Sequence, residues 1–128
     1  MWRCQDNIVQ SVNSHLTLYV IISLKGSGVA IQDKEYTLEC KTSLKQIHWY
    51  KDNIYFGESN IQNGLNCIFN QESDRNFYEY KNCGAEHKLT IKSIDYYRDN
   101  GKMWRCQDNI VQSVNSHLTL YVITAGEE

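Results

Sequence analysis

Apolar residues recur at every second position in several short windows of this chain. Tyr36, Leu38 and Cys40 alternate with Thr37 and Glu39, Ile47 and Trp49 with His48 and Tyr50, Leu89 and Ile91 with Thr90, and Leu118, Leu120 and Val122 with Thr119 and Tyr121. A period of two sends successive side chains to opposite faces of a strand, so each window predicts a strand with one buried face. No window sustains the i, i+3, i+4, i+7 pattern of an amphipathic helix. Shorter runs at Ile22–Leu24, Val29–Ile31, Ile54–Phe56 and, more weakly, Asn66–Asn70 add strand candidates. Lys51-Asp52-Asn53 and Asp99-Asn100-Gly101 supply turn chemistry between them. Lys25-Gly26-Ser27-Gly28 reads either as a linker or, the reading preferred here, as the kink of an edge strand that passes between two sheets. Roughly seven to nine short strands with frequent turns predict an all-β sandwich or barrel.

A second pattern overlies the first. Met1–Ile21 and Met103–Ile123 are one string, MWRCQDNIVQSVNSHLTLYVI, repeated without a substitution 102 positions later. Diverged repeats keep a pattern and lose their letters, so identity points to a recent duplication, an engineered one, or a piece of an array of near-identical modules. The expected organisation is a duplicate of the C-terminal strand pair at 1–21, one domain at 22–123 and a tail at 124–128. Without one copy about 107 residues remain, enough for a single core.

Composition narrows the function classes. The net charge is −2, whereas a nucleic-acid binder needs a basic face to displace counterions, so no nucleic-acid partner is expected. No apolar stretch approaches the ~20 residues of a membrane span. Met1 opens inside the repeat, so no signal peptide is expected there. No nucleophile elbow, glycine-rich phosphate loop or His-Glu-x-x-His occurs, and no enzyme or cofactor is predicted. No Cys-x2-Cys spacing suggests a metal site, and the histidines (His48, His87 and the copies His15 and His117) are read as exposed strand residues. No Asn-x-Ser/Thr sequon is present.

Cys40, Trp49, Leu89-Thr90-Ile91 and the run Asp99-Asn100-Gly101-Lys102-Met103-Trp104-Arg105-Cys106 together resemble an immunoglobulin-superfamily domain of variable or intermediate set, over roughly Ile22 to Ile123. The resemblance implies a two-sheet antiparallel sandwich with Cys40 on strand B and Cys106 on strand F. The two would form a disulfide packed on Trp49, and Leu38, Leu89, Ile91 and Trp104 would complete the core. Such a loop of about 65 residues should stabilise by ~4 kcal/mol. The chain departs from the pattern where Trp104 stands in place of a tyrosine. An indole N–H donates but cannot accept, so the tyrosine corner cannot be copied atom for atom. Five cysteines is an odd count, and Cys4 is the copy of Cys106. The domain then has an even number, typical of an oxidising compartment. Cys67 and Cys83 flank Ile68–Asn82 and as a pair would staple it; the alternative is that one or both are free thiols.

The expected function is a non-catalytic extracellular or cell-surface recognition and adhesion module of immune-receptor type, binding a protein or glycan. If Trp49, Cys106, Leu118 and Leu120 point inward, alternation places His48, Tyr50, Arg105, Gln107, His117, Thr119 and Tyr121 outward on the C-F-G sheet. The bland alternative is that these tyrosines only satisfy β-propensity. A second function is a structural link in a tandem array, since the repeat offset is itself one domain long. The duplicate carries a further expectation. One sandwich has one F–G slot, and the C-terminal copy follows directly from strand E, so it should fill that slot. The N-terminal copy would be left exposing Trp2, Ile8, Val9, Leu16, Leu18, Val20 and the Cys4 thiol, which favours self-association by strand exchange.

Overall fold

The computed structural model describes residues 7–12, 17–62 and 67–124, with backbone alone at 7–12 and 17–19. Trp2, Cys4 and Leu16 lie outside the described residues. The strands are β1 (Asn7–Val12), β2 (Thr17–Gly26), β3 (Ala30–Ile31), β4 (Tyr36–Thr42), β5 (Gln46–Lys51), β6 (Ile54–Asn60), β7 (Ile68–Phe69), β8 (Tyr78–Lys81), β9 (Lys88–Ile91), β10 (Met103–Asp108), β11 (Asn115–Thr119) and β12 (Val122–Ile123). A 3-10 turn at Glu72–Asn76 and one helical turn, α1 (Tyr96–Asp99), interrupt them. Two antiparallel sheets, ordered β1-β2-β4-β9-β8 and β11-β10-β5-β6-β7, face each other, and a short parallel pair joins β12 to β3. The chain is thus an all-β sandwich of two antiparallel sheets.

The inward residues of both sheets are those that alternation selects. Leu38, Ile47, Trp49, Leu89, Ile91, Trp104 and Cys106 are fully buried. Cys40 on β4 and Cys106 on β10 are bonded across the sheets, with a Cα–Cα distance of 6.4 Å. A second disulfide, Cys67–Cys83, closes the far edge, where β7 of one sheet lies nearest in sequence to β8 of the other. On the chain-entropy estimate the two crosslinks contribute about 4 and about 3 kcal/mol.

The Gly-Ser segment is a kink between sheets rather than a linker. β2 pairs with β4 as far as Gly26↔Leu38, and four residues later β3 pairs with β12 in register Val122↔Ala30. The Tyr36 hydroxyl crosses under this kink and donates to Gly28 O at 2.9 Å. A Cβ at Gly26 would overlap that hydroxyl, and Gly28 sits at φ +121°, so both positions require glycine.

Four features differ from the alternation pattern. β8 was not signalled, because Tyr-Glu-Tyr-Lys is short and half polar; pairing with β9 makes it a strand. The Leu118–Val122 alternation is not one strand: β11 ends at Thr119, and the chain crosses to β3 before β12 begins. Of the weak strand at Asn66–Asn70 only Ile68–Phe69 forms, and Asn66 lies outside the described residues. The N-terminal copy is the fourth. Its backbone forms a regular hairpin from Asn7↔Ile22 to Val12↔Thr17, so it is paired rather than merely displaced. Val20, expected to be exposed, packs partly buried against the core, whereas Ile21 is 55% exposed.

Candidate functional site

The C-terminal copy supplies β10 and β11 to the second sheet, whose outward face gathers the sequence-selected polar and aromatic side chains. Two local devices shape it. Asp52 and Asn53 both adopt positive φ (50° and 66°), the conformation of a tight hairpin turn that matches strand twist. Asp52 then docks on β10: its N–H donates to Met103 O at 2.7 Å and its Oδ1 accepts from Met103 N at 2.8 Å. The second device is a bulge. Register shifts between Trp49↔Gly57 and Tyr50↔Tyr55, leaving Phe56 as the extra residue. Phe56 turns inward, edge-on to Phe69, Tyr78 and Trp104. Tyr55 and Glu58 stay outward beside Tyr50 and His48.

The result is one connected cluster. The Arg105 guanidinium lies 4.4 Å from the Tyr50 ring centroid, and its Nε donates to Gln107 Oε1 at 2.9 Å. An Nη of the same group donates to Asn53 Oδ1 at 2.6 Å. Tyr55 packs edge-on against both Tyr50 and His48, with centroids 5.8 and 5.2 Å away. His48 Nε2 stands 3.4 Å from Glu58 Oε1, and Gln46 Nε2 donates to the other carboxylate oxygen. Burial, reinforced by the Glu58 carboxylate, pushes the Tyr55 phenol above its ordinary pKa, so it remains a neutral donor. Cation–π and edge-to-face contacts of this kind each contribute about 0.5–1 kcal/mol on a half-exposed surface.

Of the seven face residues predicted from sequence, His48, Tyr50 and Arg105 meet in this cluster. Gln107 does not belong to the exposed surface. It is only 6% exposed, enclosed between β5 and β11 by the pairs Gln107↔His48 and Gln107↔Asn115, and it serves as the acceptor that orients Arg105. His117 is exposed opposite Arg105 on β11, and Thr119 is half-buried opposite Met103. Tyr121 is 70% exposed but sits in the break between β11 and β12, outside the cluster. Sequence reasoning missed Gln46, Asn53, Tyr55 and Glu58. Continuing the β5 alternation back two residues finds Gln46. The bulge hides Tyr55 and Glu58, because it breaks the period of two within β6.

His87 also departs from expectation, being buried at 3% exposure. Its Nε2 lies 2.8 Å from Leu44 O, a carbonyl that can only accept, so Nε2 carries the proton. Nδ1, 2.6 Å from Ser59 Oγ, must then accept, and Ser59 Oγ in turn accepts from Trp49 Nε1 at 3.1 Å. This chain from indole to hydroxyl to imidazole to backbone is closed and buried, and it braces the core tryptophan. Burial lowers the His87 pKa.

Trp104, at the position where the resemblance leads one to expect a tyrosine, is enclosed in the core. Trp104 Nε1 is buried and hydrogen-bonds to none of the described residues. Lys51 Nζ instead stands 5.6 Å from the Trp104 ring, donates to the Tyr78 hydroxyl at 2.9 Å and lies 3.9 Å from the buried Asp99. Asp99 is held by Arg98 through two hydrogen bonds, at 3.0 and 2.8 Å. No family model matches the chain, and no curated protein matches it.

Proposed function

We propose that the chain is an immunoglobulin-superfamily domain of variable or intermediate type acting as a non-catalytic extracellular recognition or adhesion module. It binds a protein or glycan through the outward face of β10, β5 and β6. The observation that carries this reading is the Arg105–Tyr50–Tyr55–His48 cluster, held in place by Gln107, Asn53 and Glu58. Arginine and tyrosine dominate binding energy at interfaces. Side chains already locked by neighbours lose little rotamer freedom on binding, which leaves more of the contact energy as affinity. Two disulfides fit an oxidising, extracellular setting. Among the described residues no helix is long and apolar enough to cross a membrane.

The test is a multimerised chain probed on a glycan array and a panel of purified ectodomains. Any specific signal should fall at least tenfold with Arg105→Ala or Tyr50→Ala, with stability changed by no more than ~1 kcal/mol. A signal indifferent to both substitutions rejects this face.

One observation favours the second reading, a link in a tandem array. β2 runs from Thr17 to Gly26 as one strand through the end of the repeat at Ile21. The last strand of one module would then become the first strand of the next without a linker. A chain with Gly-Gly inserted between Ile21 and Ile22 separates the two readings, because a rigid link depends on that continuity and ligand binding by the face does not.

A further inference from the structure

The N-terminal hairpin is an arm rather than an ordinary edge of the sandwich. β1 pairs with β2 over Thr17–Ile22, whereas β4 pairs with β2 over Ile22–Gly26. Ile22 alone is paired on both sides, and β4 ends at Thr42, its partner. Asn7–Val12 and Thr17–Ile21 therefore extend past the last residue of β4 as a two-stranded ribbon about 20 Å long. Among the described residues no third strand pairs with either side of that ribbon.

Two strands alone are marginal in water; independent stability takes roughly three or more strands with an apolar face. Natural edges that must stay single carry charge, proline or bulges. The strand segments Asn-Ile-Val-Gln-Ser-Val and Thr-Leu-Tyr-Val-Ile contain no charge and no proline, and the pairing from Asn7 to Val12 is unbroken. The other outer strand of this sheet, β8, is shorter and carries Glu79 and Lys81. β7, at the edge of the second sheet, is two residues long. The arm thus lacks the usual defences and needs further strands.

We propose that the occupant of the free β1 edge is the β1 edge of a second copy of this chain. The two strands run antiparallel about a two-fold axis, so the two ribbons become one sheet between two sandwiches. A copy of the same strand suits this edge because antiparallel self-pairing matches backbone donors to acceptors whatever the side chains, and no like charges meet across the axis. Strand exchange is the competing geometry. It offers only the contacts that Met103–Ile123 already makes in its own chain, so it gains nothing to offset association. The proposal is independent of the partner-binding face.

Sedimentation velocity on the full chain tests it. The chain should form a dimer that Ile8→Lys weakens at least tenfold, with the melting temperature of the sandwich unchanged, because Ile8 is paired with Ile21, which is 55% exposed, and not with Val20, which packs against the core. As a second measurement, single cysteines at Ile8, Val9, Gln10 and Ser11 in a Cys4→Ser background should include one that oxidises to a covalent dimer, since one residue faces its own copy at the axis. A monomeric full chain overturns the proposal. So does a dimer that survives Ile8→Lys, or one whose unreduced digest contains a Cys4–Cys40 peptide, which would mark strand exchange.

Discussion

One string of letters takes two structures in this molecule. In the N-terminal copy Asn-Ile-Val-Gln-Ser-Val is strand β1, paired along its whole length with the segment that follows it. In the C-terminal copy the same letters, residues 109–114, form a turn in which Ile110 is 81% exposed and Val111 42% exposed. The threonine that pairs with Val12 in the first copy, Thr17, has its counterpart Thr119 paired with Met103 in the second. The difference lies in what each copy is fastened to. β10 is bonded to β4 through Cys106, buries Trp104, and is flanked by β5 and β11. Ser116 accepts from Leu24 N at 3.0 Å, tying β11 to the facing sheet. With both strands held at those ends, the connection must close as a turn. It does so through Asp108 Oδ2 accepting from Val111 N at 3.1 Å and Asn115 Nδ2 donating to Gln112 O at 2.9 Å. The N-terminal copy is fastened only at its C-terminal end, where Val20 packs partly buried against the core and the adjoining Ile22 pairs with β4, so local pairing decides its register. Local pairing chooses the longer hairpin of β-branched residues.

If the crosslink and its core holds one copy in its register, the largest asymmetry should follow from the cysteines. Cys106→Ser should cost ~4 kcal/mol in denaturant unfolding, since it reopens a loop of 66 residues, whereas Cys4→Ser should leave stability unchanged. A Cys106→Ser chain that stays equally stable with Cys4 bonded to Cys40 would show instead that the copies are interchangeable. A smaller contrast comes from one valine at equivalent positions. Val114 is 3% exposed in the core, so Val114→Ala should cost roughly 2 kcal/mol, while Val12→Ala should change stability by less than about 0.5 kcal/mol. Equal costs would mean the arm is as tightly packed as the sandwich.

Acid should separate the two regions as well. His87 titrates below its ordinary value when folded, because burial disfavours the charged ring, so the unfolded chain takes up a proton first. Its contribution is complete above the unfolded pKa near 6.5 and is lost as pH falls from there toward the lower folded value. The protection of β10 amides, corrected for the intrinsic exchange rate at each pH, should fall over that window, and His87→Gln should flatten the response. Exchange in β1 should not follow it. A smaller effect than that of Val114 is expected at the surface cluster. Arg105→Ala should cost about 0.5–1 kcal/mol through the contact with Tyr50.

Much of the sandwich was legible because burial on one face imposes a period of two. Leu38, Trp49, Leu89 and Ile91 announce their strands, and each faces the core. The partners of Cys40 and Cys67 were named on different grounds, a family resemblance and a flanking position, and both disulfides are present. β8 was not legible, because four residues with two charges carry too little pattern. Half of the candidate face was hidden for a different reason. His48, Tyr50 and Arg105 follow from alternation, but Tyr55 and Glu58 depend on a bulge that shifts the register within β6. Gln107 obeys the alternation and is nevertheless enclosed, since neighbouring strands on both sides close over it.

The sequence by itself determined the strand-rich class, the inward set of each long strand, the turn at Asp52-Asn53 and the presence of two identical segments. These depend on single residues or on spacing within one strand, which is local chemistry. Tertiary structure alone decided which copy fills the sandwich, in which register each one pairs, and which polar side chains meet on the outer face. Those outcomes depend on contacts between residues far apart in the chain, such as Cys40 with Cys106 and Asn53 with Arg105. Two identical strings cannot differ in local preference, so only their surroundings can tell them apart.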